Sequence, residues 1–548
     1  MPTTQSSRRR GWVHNQSDMK TLNVGLLLDS ARSDKYIEEL VLWSKSRPEI
    51  NISHLIIHPY QKRGLRLLPS RAVFQVILWV ERMLLRRSGR HKDHYAVRDL
   101  SRIIERMVQI RPIVSSSGHQ CQFADEDVEK IKALDLDLLI SCGASIPSGA
   151  ILGASRLGVI SCLHGGFWEC YHRRPQTGFV IRRLREGTEA GDDLARGSFR
   201  TRFYYSLNKA NVYKKSVAHL KNLLKTAALS GELPSSERAL RPNLSDACRG
   251  PDLLECLVYA CKLLRRICIK AVGRMPMLRE RFGISVLRGK WDQSMSWRIA
   301  AASLARGRYW ADPFLHTRGG RTFCFVEDLV QKTEKGHITA LELVGTRIVE
   351  HGVALQEPFH LSFPFLFEYR GELYMCPESC ASRQIRVYRC TEFPLKWRLE
   401  KTLMDGVSAV DTLLFAKGGS WWMLTNIDES DAGDHCSELY LFSADSPLST
   451  TWVPHRQNPI LVDSIGGRNG GLIIDGERLL RLGQCQGFDQ YGQSLRVYEI
   501  KEISESRYAE ELVAEIKPDF RKGILGTHHL STDGKTTVID HVSGYSAA

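Results

Sequence analysis

Two rhythms of hydrophobicity divide the chain. Up to about residue 228, short apolar runs alternate with segments of helical spacing. Thr21 to Asp29 (TLNVGLLLD) is a near-continuous apolar run, as expected of a strand buried on both faces of a parallel sheet. Ala31 to Ser46 places Tyr36, Leu40 and Trp43 on one helical side, and Ile50 to His58 reads as a second strand. This is a βαβ opening without the GxGxxG fingerprint of dinucleotide sites. Lys62 to Arg111 interrupts it with helical patterns around Val73 to Leu85 and Asp99 to Ile110, separated by a basic break from Arg86 to Lys92. The sheet is expected to resume at Ile113 to Val114, followed by a helix at Asp125 to Ala133 and a buried strand at Leu136 to Ser141. A short helix over Ile151 to Leu157 leads to an apolar run, Gly158 to Leu163, that delivers His164 into a Gly-Gly turn. A further run, Phe179 to Leu184, precedes Glu189-Ala190-Gly191-Asp192, and Asn208 to Lys225 is helical. Ser230 to Pro251 is polar and broken by prolines, a linker composition. Leu253 to Val272 is an apolar helix carrying Lys262, Arg265, Arg266 and Lys270. Four cations argue against a membrane span and for packing between domains, with an interfacial helix as the alternative.

After Gly307 the rhythm changes to hairpins. Five copies of strand, Gly-containing turn and strand start at Asp312, Phe363, Asp411, Arg468 and Gly526. A period near 50 residues built from hairpins predicts a propeller with one four-stranded blade per repeat, hence five blades. The copy starts should converge on the central axis. They bring Asp312, His360, Ser362, Asp411, Asn469, Thr527 and His528 together, with Glu327 and Glu378 at the ends of second strands. Several carboxylates in one pocket suit general acid–base work on a glycoside, or hydrogen bonding to a sugar's hydroxyls. Strand-start Asp and Asn also serve to satisfy backbone groups.

Charge sharpens this division. Before Ser296 there are 49 Lys/Arg against 28 Asp/Glu; from Ser296 onward there are 27 against 33. A basic first half points to anionic ligands such as folate, phosphorylated sugars, nucleic acid or an anionic membrane surface, or to a merely solvated basic face. Fourteen cysteines in 548 residues, without paired CxxC spacing, predict free thiols, no metal site and a cytoplasmic protein. The expected organisation is an arm over 1–18, an α/β domain over 19–228, a helical linker over 229–295 and an all-β propeller over 296–548.

A strand ending in His, followed by one ending in a carboxylate, places an imidazole beside an orienting acid. The stretch Cys162-Leu163-His164 … Glu189-Ala190-Gly191 resembles the Asn-x-His and Asp-x-Gly signature of the formyltransferase family, which acts on methionyl-tRNA, glycinamide ribonucleotide and sugar nucleotides. The resemblance implies a Rossmann-like α/β domain that uses formyltetrahydrofolate. It gives His164 the role of proton or hydrogen-bond donor to the oxyanion, and makes Glu189 its partner. The loop Cys142, Gly143, Ile146 and Pro147 would lie against the folate. Cys162 stands where the family has Asn and offers a weaker donor, or a nucleophile.

The runs Trp310-Ala311-Asp312-Pro313-Phe314, His360-Leu361-Ser362-Phe363-Pro364 and Ala409-Val410-Asp411 resemble the propeller domain of plant glucosamine inositolphosphorylceramide transferases, itself similar to five-bladed arabinanases and xylosidases. That resemblance implies Asp312 as general base and Asp411 or Glu378 as a further acid. It adds His360, Asn469 and His528 as pocket residues. The expected function is formyl transfer to an amino-sugar nucleotide or glycolipid, with the propeller holding the glycan, peripheral contact with an anionic membrane and no specific nucleic acid. The alternatives are a glycosidase- or glycosyltransferase-related propeller with a degenerate first domain, and a non-catalytic sugar-binding scaffold.

Overall fold

The computed structural model describes residues 21–543 except 60–68, 87–95, 115–119, 144, 187–190, 235–248, 273–280, 293–299, 302–306 and 346. The expected arm over 1–18, Glu189 and much of the proline-broken linker lie outside the described residues.

The first half is built on one seven-stranded sheet. Its strands are β1 (Leu22–Leu28), β2 (Ile50–Ile57), β3 (Met107–Gln109), β4 (Leu138–Ser141), β5 (Val159–His164), β6 (Gln176–Arg183) and β7 (Asp192–Arg200). They lie in the order β7-β6-β5-β4-β1-β2-β3. β1, β2, β3, β4 and β5 pair in parallel, whereas β6 runs antiparallel to both β5 and β7. The parallel strands are apolar on both faces because helices cover both. Leu26, Ile140, Ile160, Phe179 and Phe199 join Leu220 and Leu224 of the long helix Tyr205–Ser230 in one core.

Three expectations change here. Asp99 to Ile110 is not a helix: Leu100–Arg102 is a single 3-10 turn and Met107–Gln109 is an edge strand on β2. Pairing with an open sheet edge outweighs a short run's helical spacing. Pro112–Val114 leaves the main sheet for a small separate one, with Gln120–Phe123 and Ile146–Pro147. Ile151 to Leu157 is reduced to the 3-10 segment Gly149–Gly153.

The second half is a five-bladed propeller, five four- or five-stranded antiparallel sheets in sequence. The first blade is Arg308–Arg318, Arg321–Val330, Lys335–Val344 and Arg347–Leu355; the second runs from Ser362 to Asp405, the third from Ala409 to Val462 and the fourth from Ile465 to Ile516. The fifth blade is closed from both ends of the half. Arg281–Arg288 pairs antiparallel along the whole of Thr536–Ser543, which also carries Ile524–Gly526 and Leu530–Thr532. The helical connection expected up to residue 295 therefore gives way at Arg281 to a propeller strand.

The two halves share buried contacts. Val462 of the third blade belongs to the core of the first half, and it fills the space a side chain at Gly197 would need, 2.5 Å from that position. Arg202 and Asn211 reach Asp434, and Ser198 donates to Asp463 at 3.1 Å. The helix Leu253–Val272 packs on Pro69–Arg86 of the first half, and its Arg266 reaches Asp489 of the propeller at 2.8 Å. Among the described residues, no helix is long and apolar enough to cross a membrane.

Candidate active site in the propeller cavity

The inner strands share one irregularity. In the first four blades the ladder slips between Ala311 and Phe314, Ser362 and Phe365, Val410 and Leu413, and Ile465 and Arg468. The residue opening each bulge has positive φ: Asp312 at 48°, Phe363 at 45°, Asp411 at 50° and Gly466 at 106°. A bulge re-aims a side chain, and the left-handed region costs a non-glycine residue about 1 kcal/mol. Two of these three strained non-glycine positions are aspartates: Asp312 lines the propeller cavity, and Asp411 stands behind its Arg468.

That cavity measures about 300 Å³ and is lined by Asp312, Glu327, His360, Ser362, Glu378, Arg468, Tyr491 and His528, with Phe282 and Tyr309 as apolar walls. His528 is held between two carboxylates. Its Nε2 lies 3.3 Å from Asp312 and its Nδ1 3.0 Å from Asp540. Asp540 also accepts the backbone N–H groups of His528 and His529, and Asp312 accepts that of Phe363. On the other side, Arg468 grips Asp411 through Nε at 2.6 Å and reaches Glu378 at 3.5 Å. Gln484 donates to Asp411 at 3.1 Å.

The cavity thus crowds Asp312, Glu327, Glu378, Asp411 and Asp540 around two cations. Their proton affinities separate accordingly. Burial pushes Asp312 up, but the hydrogen bond and charge of His528 outweigh it and hold the acid at about 2. Burial and then Asp411 push Glu378 up to about 8, with Arg468 opposing. Burial, Asp312 and Glu378 drive Glu327 well above the ordinary carboxylate range. Burial would lower His528, yet Asp540 and Asp312 raise it to about 9. At neutral pH the site presents an ionised Asp312 and imidazolium beside a protonated Glu378, the split that separates a general base from a general acid. Asp312, His528 and Asp540 bring one nitrogen and two carboxylate oxygens within 4.8 Å of one another, but the imidazolium keeps a proton on each nitrogen and so offers no lone pair to a cation.

Of the expected pocket residues, Asp312, His360, Glu378 and His528 line the cavity, with His360 Nε2 3.4 Å from Glu327. Asp411 stands behind Arg468. Asn469 is not a pocket residue: it is fully buried, its amide donating to the carbonyls of Asp411 and Leu424. Thr527 likewise is buried against Asp540. Sequence reading missed Arg468, Tyr491 and Asp540. Arg468 opened the fourth repeat and was visible as a charged residue at a copy start.

In the first half, His164 ends β5. Its Nε2 lies 2.7 Å from Ser216 Oγ and 3.3 Å from Cys162 Sγ, and its ring stacks on Tyr213 at 4.3 Å between centroids. Burial and then Lys209 lower His164 to about 3, so the ring is neutral. Burial pushes Cys162 and Cys142 each up to about 12. Cys162 therefore keeps its proton and is no nucleophile at neutral pH. Cys142 and Gly143 stay at the carboxyl end of β4, with Gly143 against Asp29 and His58. Ile146 and Pro147 instead pair with Gln120 and Cys121 in the separate small sheet, so the four do not form one wall.

Residues 296–528 match the family model described as "Glucosamine inositolphosphorylceramide transferase 1, N-terminal". The chain is 38% identical over 206 residues to glucosamine inositolphosphorylceramide transferase 1 of Oryza sativa subsp. japonica, covering 36% of this chain and 27% of that one. It is 38% identical over 219 residues to the Arabidopsis thaliana protein of the same name, covering 39% and 28%. The chain thus spans little more than a quarter of the length of these relatives. Similar solved structures include the catalytic domain of the Coprinopsis cinerea GH62 α-L-arabinofuranosidase, with TM-score 0.33, 13% identity and 48% and 97% coverage. The Cellvibrio cellulosa α-L-arabinanase gives TM-score 0.31, 16% identity and 43% and 87% coverage. These likenesses lend no support to the formyltransferase resemblance. They make the propeller half of this chain similar to the N-terminal region of the glucosamine inositolphosphorylceramide transferases.

Proposed function

We propose that the propeller cavity binds a sugar of a glycolipid and carries acid–base chemistry at its glycosidic carbon. One observation supports this above the rest: Asp312, held ionised by His528, shares a 300 Å³ cavity with Glu378, which is raised to about 8. Asp312 takes the proton of the attacking hydroxyl or water, and Glu378 protonates the leaving oxygen. Arg468 and Asp411 fix Glu378 in place. The name of the similar plant proteins points to a glycosylated inositolphosphorylceramide as substrate and to sugar transfer as the outcome. Incubation of the protein with such lipids and a labelled acceptor tests the reading. The expected result is a transferred or released sugar, lost in Asp312→Asn. Absence of both turnover and sugar binding would sink it.

A second reading is formyl transfer from formyltetrahydrofolate in the first half. It is favoured by the position of His164 at the carboxyl end of a parallel strand, where ligands of open α/β sheets bind. A neutral His164 donates to the oxyanion, but Cys162 supplies only a weak S–H beside it. Calorimetric titration with formyltetrahydrofolate tests this reading separately, with no heat of binding counting against it.

A further inference from the structure

A second and larger cavity, about 630 Å³, lies between the halves. It shares Phe282 and Tyr491 with the propeller cavity, so the two are contiguous. Its charge is one-sided: Arg173, Arg200, Lys262, Arg265 and Arg266 face a single carboxylate, Asp489. Arg266 Nη2 binds Asp489 at 2.8 Å, which satisfies one cation of the five. Lys262 donates to the carbonyl of Tyr171 at 2.6 Å and lies over its ring. The Nε atoms of Arg200 and Arg266 are buried and have no hydrogen-bond partner among the described residues. Burial and then Arg173 lower the proton affinity of Lys262, whereas for Arg200 burial is outweighed by Cys436, Asp434 and Asp489, which raise it. Guanidinium groups in a half-enclosed cleft are suited to bidentate binding of phosphoryl oxygens. Phe203, Phe488, Ile269 and Leu525 give the same cleft an apolar wall.

We infer that this cleft binds the phosphoryl group attached to the sugar that enters the propeller cavity. The inference rests on the sugar-binding reading of that cavity and adds the anionic part of the ligand. All five of its cations come from residues outside the matched family segment, so the first half would contribute the phosphate site to a sugar site supplied by the propeller.

Calorimetric titration of the full chain tests it, with glucose, glucose 1-phosphate and inorganic phosphate as probes. Glucose 1-phosphate is expected to bind at least about tenfold more tightly than glucose, with an affinity that falls as salt rises. Arg265→Ala/Arg266→Ala should remove that advantage and leave glucose binding unchanged, and Arg173→Ala, on an exposed side chain, should reduce it. If glucose binds but the phosphate adds nothing and neither variant matters, the inference is overturned. If inorganic phosphate binds in an Arg265/Arg266-dependent manner while neither sugar probe gains from the propeller, the cleft stands and the sugar reading fails. Phosphatidylcholine vesicles with and without phosphatidylinositol identify the source. Capture by the second kind alone, lost in the double variant, assigns the phosphate to a lipid headgroup; no capture assigns it to a soluble sugar phosphate.

Discussion

The ammonium of Lys215 lies 2.5 Å from the carboxylate of Glu438, and both are buried. Lys215 comes from the long helix of the first half and Glu438 from the third blade, so a fully desolvated ion pair joins the halves. Burial works against the charged Lys215, but Glu438, Asp434 and Asp428 outweigh it and raise its proton affinity. Removing one partner of such a pair leaves an uncompensated buried charge, worth about 3–5 kcal/mol. Lys215→Met should therefore lower stability by that order in urea unfolding. Lys215→Met/Glu438→Leu should recover most of the loss; a double variant as unstable as the single one would show that the pair is not the cause.

The charge pattern of the cavity sets a pH dependence. Glu378 keeps its proton to about 8 in the folded state and releases it near the ordinary carboxylate value when unfolded. Its contribution to stability therefore declines as pH rises from about 4.5 to 8. His528, raised to about 9, contributes fully below about 6.5 and is lost as pH rises through 9. Asp312, held at about 2, contributes above about 4 and is lost as pH falls. Melting temperatures should peak on the acid side of neutrality. Glu378→Gln should flatten the decline between pH 5 and 8, and an unchanged slope would contradict the assignment of the proton.

Asp312 combines strain with chemistry. Asn tolerates its left-handed φ and keeps the oxygen that accepts from Phe363. Asp312→Asn should fold normally by circular dichroism yet lose about a hundredfold or more of any glycosyl activity, as removal of a general base does. Asp312→Val, β-branched at φ 48°, should instead melt several degrees lower. Equal activity in wild type and Asp312→Asn would remove Asp312 from the mechanism.

The strand Arg281–Arg288 closes the fifth blade. A propeller fragment starting at residue 296 should expose the Thr536–Ser543 edge and aggregate, whereas one starting at 281 should be better behaved in size-exclusion chromatography. Monodisperse behaviour of the shorter fragment would argue against ring closure by this strand.

Much of the propeller was readable because its turns need special residues. Gly320, Gly371, Gly419, Gly476 and Gly534 all take positive φ at hairpin turns, and they repeat at the blade spacing. Arg468 was harder to place, for a geometric reason. The fourth blade slips twice, between Ile465 and Arg468 and between Asn469 and Gly471. Each slip changes which side chains face the axis, so Arg468 enters the cavity and Asn469 turns into the core. Asp540 sits on the last strand, 14 residues after Gly526, the place that Glu327 and Glu378 hold 15 residues after Asp312 and Phe363, so the repeat spacing carried a signal for it. In the first half, β1, β2 and the strand ending at His164 were legible as apolar runs, and Tyr36 and Leu40 as a helix face. Ser216 and Tyr213 were hidden because contacts between a helix and a distant strand leave no local period.

The pairing of Arg281–Arg288 with Thr536–Ser543 joins segments about 250 residues apart. On a ribosome the first of these emerges long before its mate exists. Four blades are then complete while the ring stands open, with a bare hydrogen-bonding edge waiting for Thr536–Ser543 to appear. Closure of the propeller ring is thus a zipping step of high contact order, which makes the interval before Thr536–Ser543 emerges the one in which a chaperone matters most to this half.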